Sequence, residues 1–152
     1  MSAPQNVTII DARVVEIAGL IAGLPADERV FVLDGTQDGL RQISALLAGI
    51  DGIGALHIVS HGDTGRLFLG SSVVDAAALA AHADDLAAIG RHLAPGGDIL
   101  LYGCDVAAGR EGAAFIDAFG ALTGADIAAS TDVTGAAAFG GNWTLEARHG
   151  AI

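Results

Sequence analysis

Short β-branched runs alternate with longer Ala- and Leu-rich stretches along the whole chain. Val7-Thr8-Ile9-Ile10 predicts a first strand, and 14–24 a helix closed by Pro25. Val30-Phe31-Val32-Leu33 predicts a second strand stopped by Asp34-Gly35, followed by a helix over 39–50 with Leu40, Ile43, Leu47 and Ile50 on one face. A third strand over 55–60 runs into His61-Gly62. A small hairpin follows, with strands at 66–69 and 72–74 joined at Gly70-Ser71.

Asp75 is the expected N-cap of a long helix reaching Leu93, with Leu79, Leu86, Ile89 and Leu93 turned inward and Pro95-Gly96-Gly97 ending it. Residues 98–102 make a fourth strand, which leads into Gly103-Cys104-Asp105. A helix over 109–122 buries Phe115, Phe119 and Leu122 and ends on Gly124. Residues 126–131 form a fifth strand and 143–147 a terminal edge strand. Strands that are nearly all apolar, separated by helices, pair in parallel with both faces covered. The expected fold is one domain over 1–152, an α/β/α three-layer sandwich with a mostly parallel central sheet.

Composition narrows the chemistry. The chain has 152 residues, 22 of them Gly, a hydrophobic fraction of 52% and aromatics at only 5%. The core is therefore built from aliphatic side chains. Eighteen acidic residues stand against seven basic ones, all Arg, for a net charge of -11. Such a surface repels phosphate backbones and anionic lipids, which argues against nucleic acid and membrane surfaces as partners. The absence of Lys removes P-loop and Schiff-base chemistry. No apolar run approaches the ~18–20 residues of a membrane span. The start of the chain lacks a signal peptide's basic and apolar regions. A single Cys excludes an internal disulfide and multi-thiolate zinc sites.

In open parallel sheets, ligands bind at the carboxyl ends of the strands. Strand three ends there in Ser60-His61-Gly62-Asp63, strand four in Gly103-Cys104-Asp105 and strand five in Ser130-Thr131-Asp132. If strands three and four are parallel neighbours, His61 and Cys104 leave the same edge about 5 Å apart. An imidazole beside a thiol can take its proton, and the thiolate is the nucleophile. The backbone N–H groups of Gly62 and Cys104 would then suit an oxyanion hole. Each residue also has a plain structural reading: Cys104 as a small buried hydrophobe and His61 as a hydrogen-bonded strand end.

A His-Gly after one apolar strand and a Gly-Cys after the next, His first, resembles the caspase-like (clan CD) cysteine peptidases. The stretch Gln-Ala-Cys-x-Gly of caspases is absent, since Tyr102-Gly103 precede Cys104 and Asp105-Val106 follow it. Across the chain the resemblance is closer to a bacterial domain family found near the N-termini of very large secreted repeat adhesins. It is carried by Leu33-Asp34-Gly35, 57–62, Leu69-Gly70, 101–104, 128–132 and Gly140-Gly141-Asn142-Trp143. That resemblance implies a His61/Cys104 dyad acting on a peptide or protein, with the parent chain itself as one candidate. It also implies a cell-surface or extracellular setting reached without an N-terminal signal; a stand-alone chain would be cytoplasmic. The alternative is a non-catalytic interaction module that keeps a peptidase-like scaffold.

Asp63, Asp105 and Asp132 would crowd the same edge. Relatives of the caspase fold that cut after basic residues use a carboxylate in the first specificity pocket, so Asp105, Ser130 and Asp132 are the expected pocket residues. The competing reading is that these Asp residues cap turns and helices. His57 and His61 have the spacing of a helical zinc pair, but in a strand they lie ~13 Å apart, too far to share one ion. The stretch 34–39 lacks the regular ligands of a calcium loop. No cofactor is expected beyond weak Ca²⁺ coordination by the acidic surface. Gly52-Ile53-Gly54 precedes a strand instead of opening a helix, which removes the dinucleotide reading. Ser60 and Ser130 lack a nucleophile elbow. His82, His92 and His149 read as surface residues, and Trp143 as a cover for the sheet edge.

Overall fold

In the computed structural model, which describes residues 5–11, 29–102, 106–129 and 147–149, the central sheet starts from β1 (Gln5–Asp11). Val7, Thr8, Ile9, Ile10 and Asp11 are all buried, so this strand is covered on both faces. It lies between β2 (Arg29–Leu33) and β3 (Ile53–Val59), parallel to both. Beyond β3, three further strands continue the same six-stranded sheet. β7 (Leu93–Tyr102) is parallel to β3, β8 (Asp126–Ala129) is parallel to β7, and β9 (Ala147–His149) closes the edge antiparallel.

The helices follow the apolar spacing. α1 (Gly39–Leu47) buries Leu40, Ile43 and Leu47 and stops three residues short of the expected end, although Ile50 is still buried. α4 (Gly109–Thr123) buries Phe115 and Phe119, whose rings meet edge to face at 5.9 Å. Gly124 caps it in the left-handed region, with φ 76°. Each fully buried Leu, Ile or Phe side chain contributes about 1.5–3 kcal/mol of transfer free energy. One apolar cluster joins Ile9 and Leu56 of the sheet to Leu40, Leu86 and Phe115 of the helices. The result is a mixed α/β fold with a mostly parallel sheet flanked by helices, consistent with a three-layer α/β/α sandwich.

Three local features depart from expectation. The single helix over 75–93 is two helices, α2 (Ala76–Ala81) and α3 (Ala83–Arg91), broken at His82. Asp75 does cap α2, accepting the Ala78 N–H at 2.9 Å. Leu93 has left the helix and opens β7 opposite Ile53. The next paired residues are Ala55 and Asp98, so residues 94–97 are extra chain that the parallel ladder loops out. The expected hairpin is a three-stranded antiparallel sheet, because β4 (His61–Asp63) pairs with β5 (Arg66–Leu69), which pairs with β6 (Ser72–Val74). The expected helix over 14–24 and residues 143–146 of the terminal strand lie outside the described residues.

Candidate functional site

β3 and β7 are parallel neighbours, as the two-strand reading of the site requires. Val59 is in register with Tyr102, and the next amide, Ser60 N–H, donates to the Tyr102 carbonyl at 3.1 Å. His61 and Cys104 each follow that register pair by two residues. His61 is exposed and begins β4, where it stands opposite Phe68, and Gly62 stands opposite Leu67. Cys104, Asp105, Ser130 and Asp132 lie outside the described residues.

A second contact fixes the far side of the same segment. The Gly65 N–H, in the turn between β4 and β5, donates to the Val106 carbonyl at 3.0 Å. The backbone on both sides of His61 is therefore hydrogen-bonded to the backbone on both sides of Cys104. Gly65 has φ 67°, and a Cβ there would sit 3.0 Å from the Glu111 carbonyl at the start of α4, so the approach depends on Gly. Asp63 spends one carboxylate oxygen on its own turn, accepting the Thr64 N–H at 2.8 Å, in keeping with the turn-capping reading of the acids at this edge.

Beneath this edge, His57 stacks on Tyr102 with ring centroids 5.8 Å apart, and its Nδ1 lies 3.2 Å from the Tyr102 hydroxyl. It is the half-buried strand residue that its pattern predicts. The Ser60 hydroxyl is buried with no hydrogen-bond partner among the described residues.

Beside the site lies a polar framework that hydrophobic periodicity does not reveal. Asp11, the last residue of β1, is 0% exposed, and its carboxylate accepts the Gly70 N–H at 2.6 Å. The signal was available: an acid ending an apolar strand at the carboxyl edge of the sheet. Gln42 of α1 holds the loop before its own helix, exchanging bonds with the Asp34 N–H and the carbonyls of Asp34 and Gln37 at 2.8, 2.8 and 3.0 Å. Asp34 accepts the Thr36 hydroxyl and N–H, and these bonds hold its carboxyl below the ordinary range. The stretch 34–39 thus spends its carboxylates on turn and cap bonds and, through Asp38 Oδ2, on Ser72 and His82.

Two of the histidines read as surface residues are built in. His82 bonds Asp38, and His92 Nδ1 lies 3.0 Å from Asp51 Oδ1; each side chain is only 22% exposed. Packing at the α2–α3 break and at the α3–β7 corner half-buries them, which a helix drawn straight through 75–93 cannot anticipate. His149 stands in β9. Among the described residues no group of three or more His, Cys, Asp and Glu side chains is close enough to hold a metal ion. No helix among them is long and apolar enough to cross a membrane.

Residues 7–152 match the model of a domain of unknown function, DUF4347. The chain belongs to this family. No curated protein matches this DUF4347 domain. One solved structure is similar, described as the crystal structure of a small-chain dehydrogenase, at 15% identity over 79% of this chain and 70% of that one, with a TM-score of 0.34. No activity is carried over from it.

Proposed function

We propose that this DUF4347 domain is a cysteine endopeptidase with a His61/Cys104 dyad, acting on peptide bonds after Arg or Lys. The observation that supports the reading is the double tether: Ser60 to Tyr102 and Gly65 to Val106. It limits how far the chain carrying the imidazole can move from the chain carrying the thiol. In this scheme His61 takes the Cys104 proton, and the thiolate attacks the scissile carbonyl carbon. The N–H groups of Gly62 and Cys104 bind the oxyanion that forms. As the C–N bond breaks, the imidazolium gives its proton to the leaving amine, and a thioester remains. Water then attacks with His61 as base, releasing the acid and restoring the thiol.

Asp105 or Asp132, with Ser130, would line the pocket for the basic side chain, in keeping with the acidic balance of the chain. The parent polypeptide is one candidate substrate, in a surface or secreted setting, and weak Ca²⁺ coordination by the acidic surface is a further part of this reading.

The test needs no substrate. Cys104 alkylation is followed against pH in the native chain and in His61→Ala. A thiolate that persists well below the free value of ~8.5 and depends on His61 supports the dyad. A slow thiol indifferent to His61 replaces the peptidase with the non-catalytic scaffold reading.

A further inference from the structure

We propose that His82 is a proton-operated latch: as the imidazolium it ties the α2–α3 joint to the N-cap of α1 and the β5–β6 turn, and without its proton it releases one side. The geometry carries this. His82 Nδ1 lies 2.9 Å from the Ala78 carbonyl oxygen, and Nε2 lies 2.9 Å from Asp38 Oδ2. Both partners only accept. A neutral imidazole has one N–H, so only the charged ring satisfies both contacts.

The joint is a place where such a bond matters. His82 stands between two short helices with φ -109° and ψ 28°, outside helical geometry. Asp38 is shared three ways: Oδ1 accepts the Arg41 N–H at 3.0 Å, and Oδ2 accepts both His82 and the Ser72 hydroxyl, the latter at 3.1 Å. One carboxylate therefore joins α1, β6 and the helix break. The neighbouring turn is held from the same side, since the Ser71 N–H donates to the Gln37 carbonyl at 2.7 Å and Asp38 bridges to Gly70.

The charges facing the ring are Asp38, at the start of α1, and Asp85, on α3; α2 offers the Ala78 carbonyl and β6 the neutral Ser72 hydroxyl. The Ala78 carbonyl raises the His82 pKa above 6.5 and burial opposes it, while the bond to Asp38 and the charges of Asp38 and Asp85 raise it further. Burial pushes Asp38 up, but the bonds from Arg41, Ser72 and His82 outweigh it and hold the carboxyl below 3.8. The histidine's contribution is complete below 6.5 and is lost as pH rises through the higher folded value. The carboxylate's contribution is complete above 3.8 and is lost as pH falls through the lower folded value. The latch is closed between those limits. Because β4, β5 and β6 form one sheet, opening it reaches His61. That last consequence rests on the dyad reading; the latch itself does not.

Residue-resolved NMR of the full chain tests it. The His82 ring protons are expected to titrate with a midpoint above 6.5, and Asp38→Asn to bring that midpoint down. Exchange of the Ser71 amide, corrected for its intrinsic pH dependence, should speed up on the order of tenfold as pH rises through the midpoint. In His82→Gln, which cannot titrate, that step should be gone. A midpoint at or below 6.5, or an unchanged exchange step in His82→Gln, overturns the latch. A latch that titrates as expected beside a Cys104 indifferent to His61 removes the peptidase reading and leaves the latch standing.

Discussion

The carboxylate of Asp11 accepts the backbone N–H of Gly70 at 2.6 Å, joining the last residue of β1 to the turn between β5 and β6. The bond is buried and charge-assisted, and it spans the two sheets. Asp11→Ala removes this buried acceptor from the Gly70 N–H and is expected to cost about 2 kcal/mol or more in urea unfolding. Asp11→Asn keeps an acceptor oxygen and should cost less. Equal stability in all three chains would show that the bond contributes nothing.

Gly65→Ala probes the tether of the candidate site. The residue has φ 67° and its Cβ would crowd the Glu111 carbonyl. The expected loss is about 1–3 kcal/mol, together with a changed rate of Cys104 alkylation, because the Gly65–Val106 bond is disturbed. Gly52→Ala is the control. It also has positive φ, 72°, but its Cβ meets nothing within 4 Å. It should lose about 1 kcal/mol for the backbone alone and leave alkylation unchanged.

Asp98 is in register with Asp126 on the neighbouring parallel strand. Burial raises the Asp98 carboxyl pKa, and the charge of Asp126 adds to the shift. A raised carboxyl favours the fold below its unfolded value of 3.8, and that contribution is lost as pH rises through the folded value. At neutral pH the ionised pair therefore opposes folding. Asp98→Asn should stabilise the chain by about 0.5 kcal/mol at pH 7, with the gain fading toward acid pH. Thermal unfolding at neutral and acid pH reads both arms, and a loss of stability at pH 7 would contradict the sign.

Most of the sheet was legible because strand identity depends on local apolar runs. Val30 to Leu33, 55–59 and 98–102 are rich in β-branched and aliphatic side chains, and all three lie within strands, although β3 and β7 start earlier than expected, at Ile53 and Leu93. The facing of Leu40, Ile43 and Leu47 was equally plain, since helical spacing puts them on one stripe. For the candidate site, the sequence could name the strand ends, and the parallel pairing of β3 with β7 bears out the neighbours it assumed.

The break at His82 was not legible, because Ala-rich sequence on both sides supports one continuous helix. Only the pull of Asp38, distant in the chain and near in space, shows what the break holds. β4 was hidden for a similar reason. His61-Gly62-Asp63 is polar and short, and it becomes a strand because Arg66 to Phe68 fold back to pair with it. Asp11 falls just past the apolar run expected over 7–10, and its burial follows from a glycine turn brought over β1 from β5 and β6.

The sequence by itself determined the alternation of strand and helix, the apolar faces and the order of the polar strand ends, since periodicity and turn chemistry act over a few residues. Tertiary structure alone decided which backbone atoms hold the His61 segment against the chain around Cys104, and which carboxylates are buried or shared. Those outcomes depend on groups far apart in sequence competing for the same few hydrogen bonds, and only the packed fold brings them within reach.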